Sequence, residues 1–84
     1  MTFENRDFIL YNFGKIVSKH RKNLGLTQKQ LSKMIASNIT FIGDIERGKR
    51  NISLITLLLL SNALKVDFLK LIEEFEDLIV GATI

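Results

Sequence analysis

Apolar residues recur at spacings of three and four positions along most of this chain, which is the period of an α-helix. The first such stretch predicts a helix over about residues 7–23, with Asp7 as its N-cap and Gly25 as its stop. The residues that follow this period are Phe13, Ile16, Val17, His20 and Leu24. One face of the first helix is therefore expected to lie in a core.

Capping residues divide the remainder of the chain into four further predicted helices. Thr27 followed by Gln30 is a capping box, in which each side chain binds the backbone N–H of the other residue. The four helices, each with its cap, are 28–35 after Thr27, 39–47 after Ser37 or Asn38, 54–64 after Ser53 and 68–80 after Asp67. Only residues 52–60 are apolar enough to suggest a strand, and the cap and the residues that follow favour a helix. The predicted fold class is all-α, a five-helix bundle.

The length and composition bound the fold and the cellular setting. With 84 residues the chain forms one domain, 1–84, and a domain this small buries only about 60–65% of its unfolded surface. It has no Cys, which excludes a disulfide framework and a thiolate metal site. No signal peptide is visible, and the longest apolar run, 57–60, is far shorter than the roughly 20 residues of a membrane span. We therefore expect a soluble, cytoplasmic protein that gains stability from helix packing or oligomerisation.

Charge divides the chain into a basic body and an acidic tail. Residues 1–66 hold eleven Lys and Arg against four acids, a net charge of +7. Residues 67–84 hold one Lys against five acids, a net charge of −4. A basic body indicates a polyanionic partner, although runs of charge also occur on faces that contact only water.

Two short predicted helices, 28–35 and 39–47, are joined by a tight turn, as in a helix-turn-helix. In that motif the second helix enters the major groove of DNA. The runs Gly25-Leu-Thr-Gln-Lys-Gln-Leu31 and Phe41-Ile-Gly-Asp-Ile-Glu-Arg-Gly48, with Leu57, Leu60 and Leu64, resemble the Cro/phage-repressor (XRE-type) family over roughly residues 13–71. The run 41–53 is similar to the controller proteins of restriction–modification systems. The resemblance implies a lambda-repressor-like DNA-binding domain.

The resemblance places the base-contacting residues at Ile39, Thr40 and Asp44 of the second helix. Controller proteins usually have Arg where Ile39 stands, and an Ile can only pack on a thymine methyl group. Asp44 can accept a hydrogen bond from a cytosine amine or repel phosphate. Thr40 can contact either a base or a phosphate. The alternative for Ile39 is a partly buried turn residue.

A second set of residues is expected to contact the DNA backbone. Gln28 stands at the start of its helix, where backbone N–H groups hold phosphate. The ring of Phe41 either leans along the backbone or packs in the core. The resemblance implies phosphate contacts from the loop after the second helix, whose polar residues are Arg47, Lys49, Arg50, Asn51 and Ser53. The alternative is a loop that contacts only water.

Other polar residues are expected to be structural. The resemblance implies an ion pair between Arg21 and Glu46 that joins the first helix to the second helix of the motif. His20, the single His, stands where the family usually has an apolar residue and is predicted to be half-buried in the core. Lys15, Lys19 and Lys22 face either the DNA backbone or water.

The last two helices carry more apolar surface than one short domain covers. The stripe Leu54, Leu57, Leu60 and Leu64 is expected to fill the core. The surplus predicts a C2 homodimer formed by the helix 54–64 and the segment 67–84, since exposed apolar patches mark interfaces. The predicted interface residues are Ile55, Leu58, Leu59, Phe75, Leu78 and Ile79. The alternative is a larger monomer core that uses Phe3 and Phe8.

These observations predict a sequence-specific DNA-binding transcriptional regulator that binds a palindromic operator in its own promoter as a homodimer. RNA polymerase is a further candidate partner, and the setting is a prokaryotic or phage cytoplasm near the nucleoid. The alternatives are an antitoxin of a toxin–antitoxin pair and a helical protein-binding adaptor that uses the acidic tail. With no nucleophile–base pair, Gly-rich phosphate loop or metal cluster in the sequence, we predict no enzyme activity, cofactor or metal.

Overall fold

The computed structural model describes the backbone of residues 6–83 and the side chains of residues 6–78. This part of the chain consists of helices and the turns between them, which confirms the all-α prediction. The helices are α1 Arg6–Asn23, α2 Gln28–Met34, α3 Ile39–Glu46, α4 Leu54–Ala63 and α5 Phe68–Thr83. None of them is long and apolar enough to cross a membrane.

Local capping chemistry sets where α2, α3 and α4 begin. The Thr27–Gln30 capping box is present, with both reciprocal hydrogen bonds at 2.8 and 3.0 Å. Asn38 rather than Ser37 caps α3, because its side-chain oxygen accepts from the N–H of Phe41. The hydroxyl of Ser53 accepts from the N–H of Thr56 and caps α4.

Two predicted helix ends are wrong. The first helix begins at Arg6, so Asp7 lies in its first turn and is not the N-cap. A carboxylate in a first turn still interacts favourably with the helix dipole. The last helix continues to Thr83, past the predicted end near residue 80.

Glycines allow α3 and its following turn to lie against α1. A Cβ at Gly14 of α1 would overlap the backbone oxygen of Ile45 in α3. Gly48 has φ +73°, and a Cβ there would stand 2.7 Å from the Cα of Tyr11. Both ends of this contact therefore require a residue without a side chain.

The core lies between α1, the α2–α3 pair, α4 and α5. Its buried apolar members include Val17, Leu31, Ile42, Leu60 and Leu71. Phe13 of α1 and Phe75 of α5 meet edge to face with ring centroids 5.5 Å apart. Phe75 is thus part of the chain's own core, which differs from the prediction that it is surplus to that core.

The apolar stripe of α4 is rotated relative to the prediction. Leu60 and Leu64 are buried and Leu57 is partly buried against the core, but Leu54 is 65% exposed. The assignment of Leu54 to the core is therefore wrong. Phe8, which the larger monomer core would use, is exposed, and Phe3 lies outside the described residues.

Candidate nucleic-acid interface

The first turn of α3 presents two of the predicted base-contacting side chains to solvent. Ile39 is 51% exposed and Thr40 is exposed beside it. Ile42 and Ile45 point the other way, into the core. Ile39 is not a buried turn residue, so its side chain is free to reach a partner.

The third predicted base-contacting residue, Asp44, lies between two guanidinium groups. Its Oδ1 is 2.5 Å from Nη2 of Arg47, and its Oδ2 is 3.6 Å from Nη2 of Arg50. Arg47 folds back over Gly43, so Gly43 is buried although the outer face of the helix was expected to expose it. We name Asp44, Arg47 and Arg50 the Asp44 cluster.

Phe41 joins the Asp44 cluster to the core. Its ring is partly buried and packs against the core residues. The Arg50 guanidinium carbon lies 4.9 Å from the ring centroid, a cation–π arrangement. Core packing therefore accounts for Phe41, and its role at a DNA backbone stays a prediction.

On the opposite side of α3, Glu46 binds the two preceding helices. Nε and Nη2 of Arg21 donate to its two carboxylate oxygens at 2.7 and 3.0 Å, the bidentate pair that the resemblance implied. Only 11% of the Arg21 side chain and 7% of the Glu46 side chain are exposed. Arg21 also donates to the carbonyl oxygen of Leu26, ahead of α2.

Gln28, predicted to contact phosphate, donates from Nε2 to Oε1 of Glu46 at 3.0 Å. Its side chain thus has a structural partner that sequence reasoning missed. The other amide hydrogen and the first-turn backbone N–H groups of α2 are separate donors, so the phosphate contact stays a prediction.

The pKa of Glu46 reflects these partners. Burial raises the pKa of this carboxyl, but hydrogen bonds from Arg21 and Gln28 and the Arg21 charge outweigh burial. The pKa therefore lies below its usual value of 4.5. Glu46 is held as a carboxylate, which keeps α1, α2 and α3 tied together.

The loop after α3 is exposed at Lys49, Arg50 and Asn51. Ser53 is exposed as well, but its hydroxyl oxygen caps α4. The structure thus brings Arg47, Lys49 and Arg50 together beside the outer face of α3. Arginine and lysine side chains in this position can neutralise DNA phosphates.

Part of α1 faces α5 instead of the helix-turn-helix. Nε2 of His20 lies 2.7 Å from Oε2 of Glu74, and Lys19 pairs with the other oxygen of that carboxylate. Burial raises the pKa of Glu74, yet these hydrogen bonds and charges lower it overall. Lys19 therefore has an intramolecular partner, and Lys15 lies over the ring of Tyr11. His20 is half-buried as predicted, but its contact with Glu74 gave no local signal in the sequence.

An exposed apolar face runs along α4. Its members are two pairs at helical spacing, Leu54 with Leu58 and Ile55 with Leu59, and Ile55 is 68% exposed. We name these four residues the α4 apolar face. Of the predicted interface residues in α5, Leu78 is exposed beside Lys15 and Lys19 of α1, and the side chain of Ile79 lies outside the described residues.

Known proteins resemble this chain in sequence and in fold. The family described as Helix-turn-helix matches residues 17–71. Control protein C.SmaI of Serratia marcescens is 38% identical over 56 residues, which are 67% of either chain.

Two solved structures are restriction–modification controller proteins. C.AhdI from Aeromonas hydrophila is 34% identical with a TM-score of 0.71, covering 74% of this chain and 94% of its own. C.Esp1396I, solved as a tetramer in complex with its natural 35-base-pair operator, is 29% identical with a TM-score of 0.77 and covers 87% of this chain and 96% of its own.

Proposed function

Because the chain belongs to the helix-turn-helix family, we propose that it is a sequence-specific DNA-binding regulator of transcription, acting as the controller protein of a restriction–modification system. One observation carries the proposal. The exposed face of α3 and the loop after it combine free side chains for base contact with three cations for phosphate contact. The relative C.Esp1396I, which covers most of this chain, binds its own operator.

In the proposed complex α3 lies in the major groove. Ile39 packs on a thymine methyl group, and Thr40 contacts a base or a neighbouring phosphate. Lys49 and the freed donors of Arg47 and Arg50 contact phosphates and fix the orientation of α3. The buried Arg21–Glu46 pair holds α3 against α1 while the other face binds DNA.

We further propose that two copies bind as a C2 homodimer through the α4 apolar face. Four exposed aliphatic side chains on one helix are costly to leave in water, and an isologous contact covers them on both copies. Such a dimer places two α3 helices about one DNA turn (roughly 34 Å) apart, which requires a palindromic operator.

A gel-shift titration tests the DNA-binding proposal. DNA from just upstream of the gene is titrated at roughly 50 and 200 mM salt with random-sequence competitor, and affinity is expected to fall steeply with salt while resisting the competitor. Arg50→Ala is expected to flatten the slope of log affinity against log salt by about 0.9 for each lost phosphate contact. Lys65→Ala, which removes one exposed cation after α4, is the matched control. Binding that random DNA abolishes equally would contradict sequence specificity.

Sedimentation of the wild type and of Leu58→Lys tests the homodimer. A charge in the α4 apolar face is expected to convert a dimer into a monomer, whereas Leu69→Lys on α5 changes an exposed leucine outside that face. A wild type that sediments as a monomer would contradict the homodimer and favour a different protein, such as a toxin, as the partner of this face.

The position of the regulator in the cell follows from the same proposal. It acts on its own promoter in a prokaryotic cytoplasm, bound to the nucleoid, with RNA polymerase as the partner that its occupancy recruits or blocks. It regulates by binding alone, without enzyme activity. Flanking genes for a restriction endonuclease and a methyltransferase would support this assignment, and a flanking toxin gene would favour an antitoxin.

A further inference from the structure

The Asp44 cluster raises a question for a DNA-binding face, because a carboxylate stands among the cations that should meet phosphate. Asp44 is one-quarter exposed, and each of its oxygens faces a different guanidinium group. Arg47 is held from behind by Gly43, whose missing side chain leaves room for the folded-back guanidinium. Arg50 is held from the side by the ring of Phe41. Both cations are therefore restrained before any DNA arrives.

This geometry leaves Asp44 poorly placed as a base-contacting residue. A cytosine amine would have to compete with two charged donors that belong to the same molecule. Ile39 and Thr40, one turn earlier, are the more exposed side chains of α3. The contacts of Asp44 instead determine where the two cations point.

The restraint affects two kinds of DNA differently. Binding to random sequence depends almost entirely on phosphate neutralisation, so a carboxylate that occupies two cations removes part of its main source of affinity. Binding to an operator also uses base contacts and a fixed register. In that register each guanidinium, with five N–H donors, can keep its bond to Asp44 and still offer other donors to one phosphate.

Resting on the DNA-binding function proposed above, we propose that Asp44 is a positioning residue that restrains Arg47 and Arg50 and so sets the ratio of operator to random-sequence affinity. It lowers affinity for random DNA and leaves operator affinity nearly unchanged. The specificity of the protein thus depends in part on a side chain that contacts no base.

The test compares Asp44→Asn with the wild type on operator and on random-sequence duplexes. Removing the carboxylate charge is expected to raise random-DNA affinity about three- to tenfold, to steepen its salt slope by up to about 0.9 for each phosphate gained, and to change operator affinity less than about twofold. Glu76→Gln on α5 is the matched control, since it changes the net charge equally at an exposed site away from α3. Asp44→Ser, which is smaller, should give the same result, and thermal melts verify that each variant is folded.

Each other result contradicts the proposal in a distinct way. A loss of operator affinity with random-DNA affinity unchanged would make Asp44 a base-contacting residue. A gain that Glu76→Gln reproduces would reflect net charge alone. The random-DNA measurement needs no operator, so a wild type without sequence preference would contradict the proposed function while the effect of Asp44→Asn on random DNA still decides the role of Asp44.

Discussion

Two acidic residues of α3, Asp44 and Glu46, stand two positions apart and face opposite sides of the helix. Both bind arginine, at 2.5 and 2.7 Å. Glu46 is 7% exposed and binds side chains from α1 and α2, whereas Asp44 is 25% exposed and binds residues close to it in sequence. The same chemical pair therefore does two jobs. The buried pair fixes the position of the helix, and the exposed one adjusts the charge that the helix presents.

The largest expected effect comes from breaking the buried pair. Glu46→Ala leaves the Arg21 guanidinium buried without its carboxylate and is expected to lower the free energy of unfolding by about 3–5 kcal/mol. Urea denaturation followed by circular dichroism measures this. Glu73→Ala, an exposed acid on α5, is the control. A loss of less than about 1 kcal/mol would mean that the pair behaves like a surface ion pair.

Acid is expected to act through the same group. The pKa of Glu46 is lowered in the folded state, so the carboxylate contributes stability that is present above its unfolded pKa of about 4.5 and is lost as pH falls through the folded pKa. The difference in unfolding free energy between the wild type and Glu46→Gln should therefore shrink below about pH 4.5. Denaturation curves from pH 7 down to pH 3 test this. A constant difference would contradict the lowered pKa.

A smaller loss is expected at Gln28. Gln28→Ala removes one hydrogen bond to the Glu46 carboxylate, and Arg21 still binds both carboxylate oxygens. The expected cost is about 1 kcal/mol, measured by urea denaturation. Lys29→Ala, an exposed neighbour, is the control. If Gln28→Ala weakens DNA binding without any loss of stability, its main role is phosphate contact.

The smallest effect on stability is expected at the exposed pair. Asp44→Asn should change the free energy of unfolding by less than about 1 kcal/mol, since exposed ion pairs contribute little. Thermal melts at low and high salt measure this. A loss similar to that of Glu46→Ala would remove the contrast between the two acids.

Local chemistry made much of this fold predictable. The Thr27–Gln30 capping box and the Ser53 cap marked the starts of α2 and α4 because their hydrogen bonds join residues three positions apart. The Asp44–Arg47 contact has the same spacing, and attention to it could have found the Asp44 cluster.

Long-range packing set the features that sequence missed. Helix α4 is apolar nearly all round, so its pattern could not determine that Leu54 faces solvent. His20 and Glu74 are 54 positions apart, and only the packing of α5 on α1 brings them together. For the candidate site, the residue set came from resemblance and spacing, whereas the partners of Gln28 and Asp44 needed coordinates.

The two glycines that seat α3 against α1 have a consequence for how this protein can change over generations. Any side chain at Gly14 would collide with the backbone of α3, and one at Gly48 would meet α1 at Tyr11. The outward positions 39 and 40 meet no such limit. New DNA preferences can therefore arise by drift at those two surface positions, while nearly every change at 14 or 48 is removed by selection.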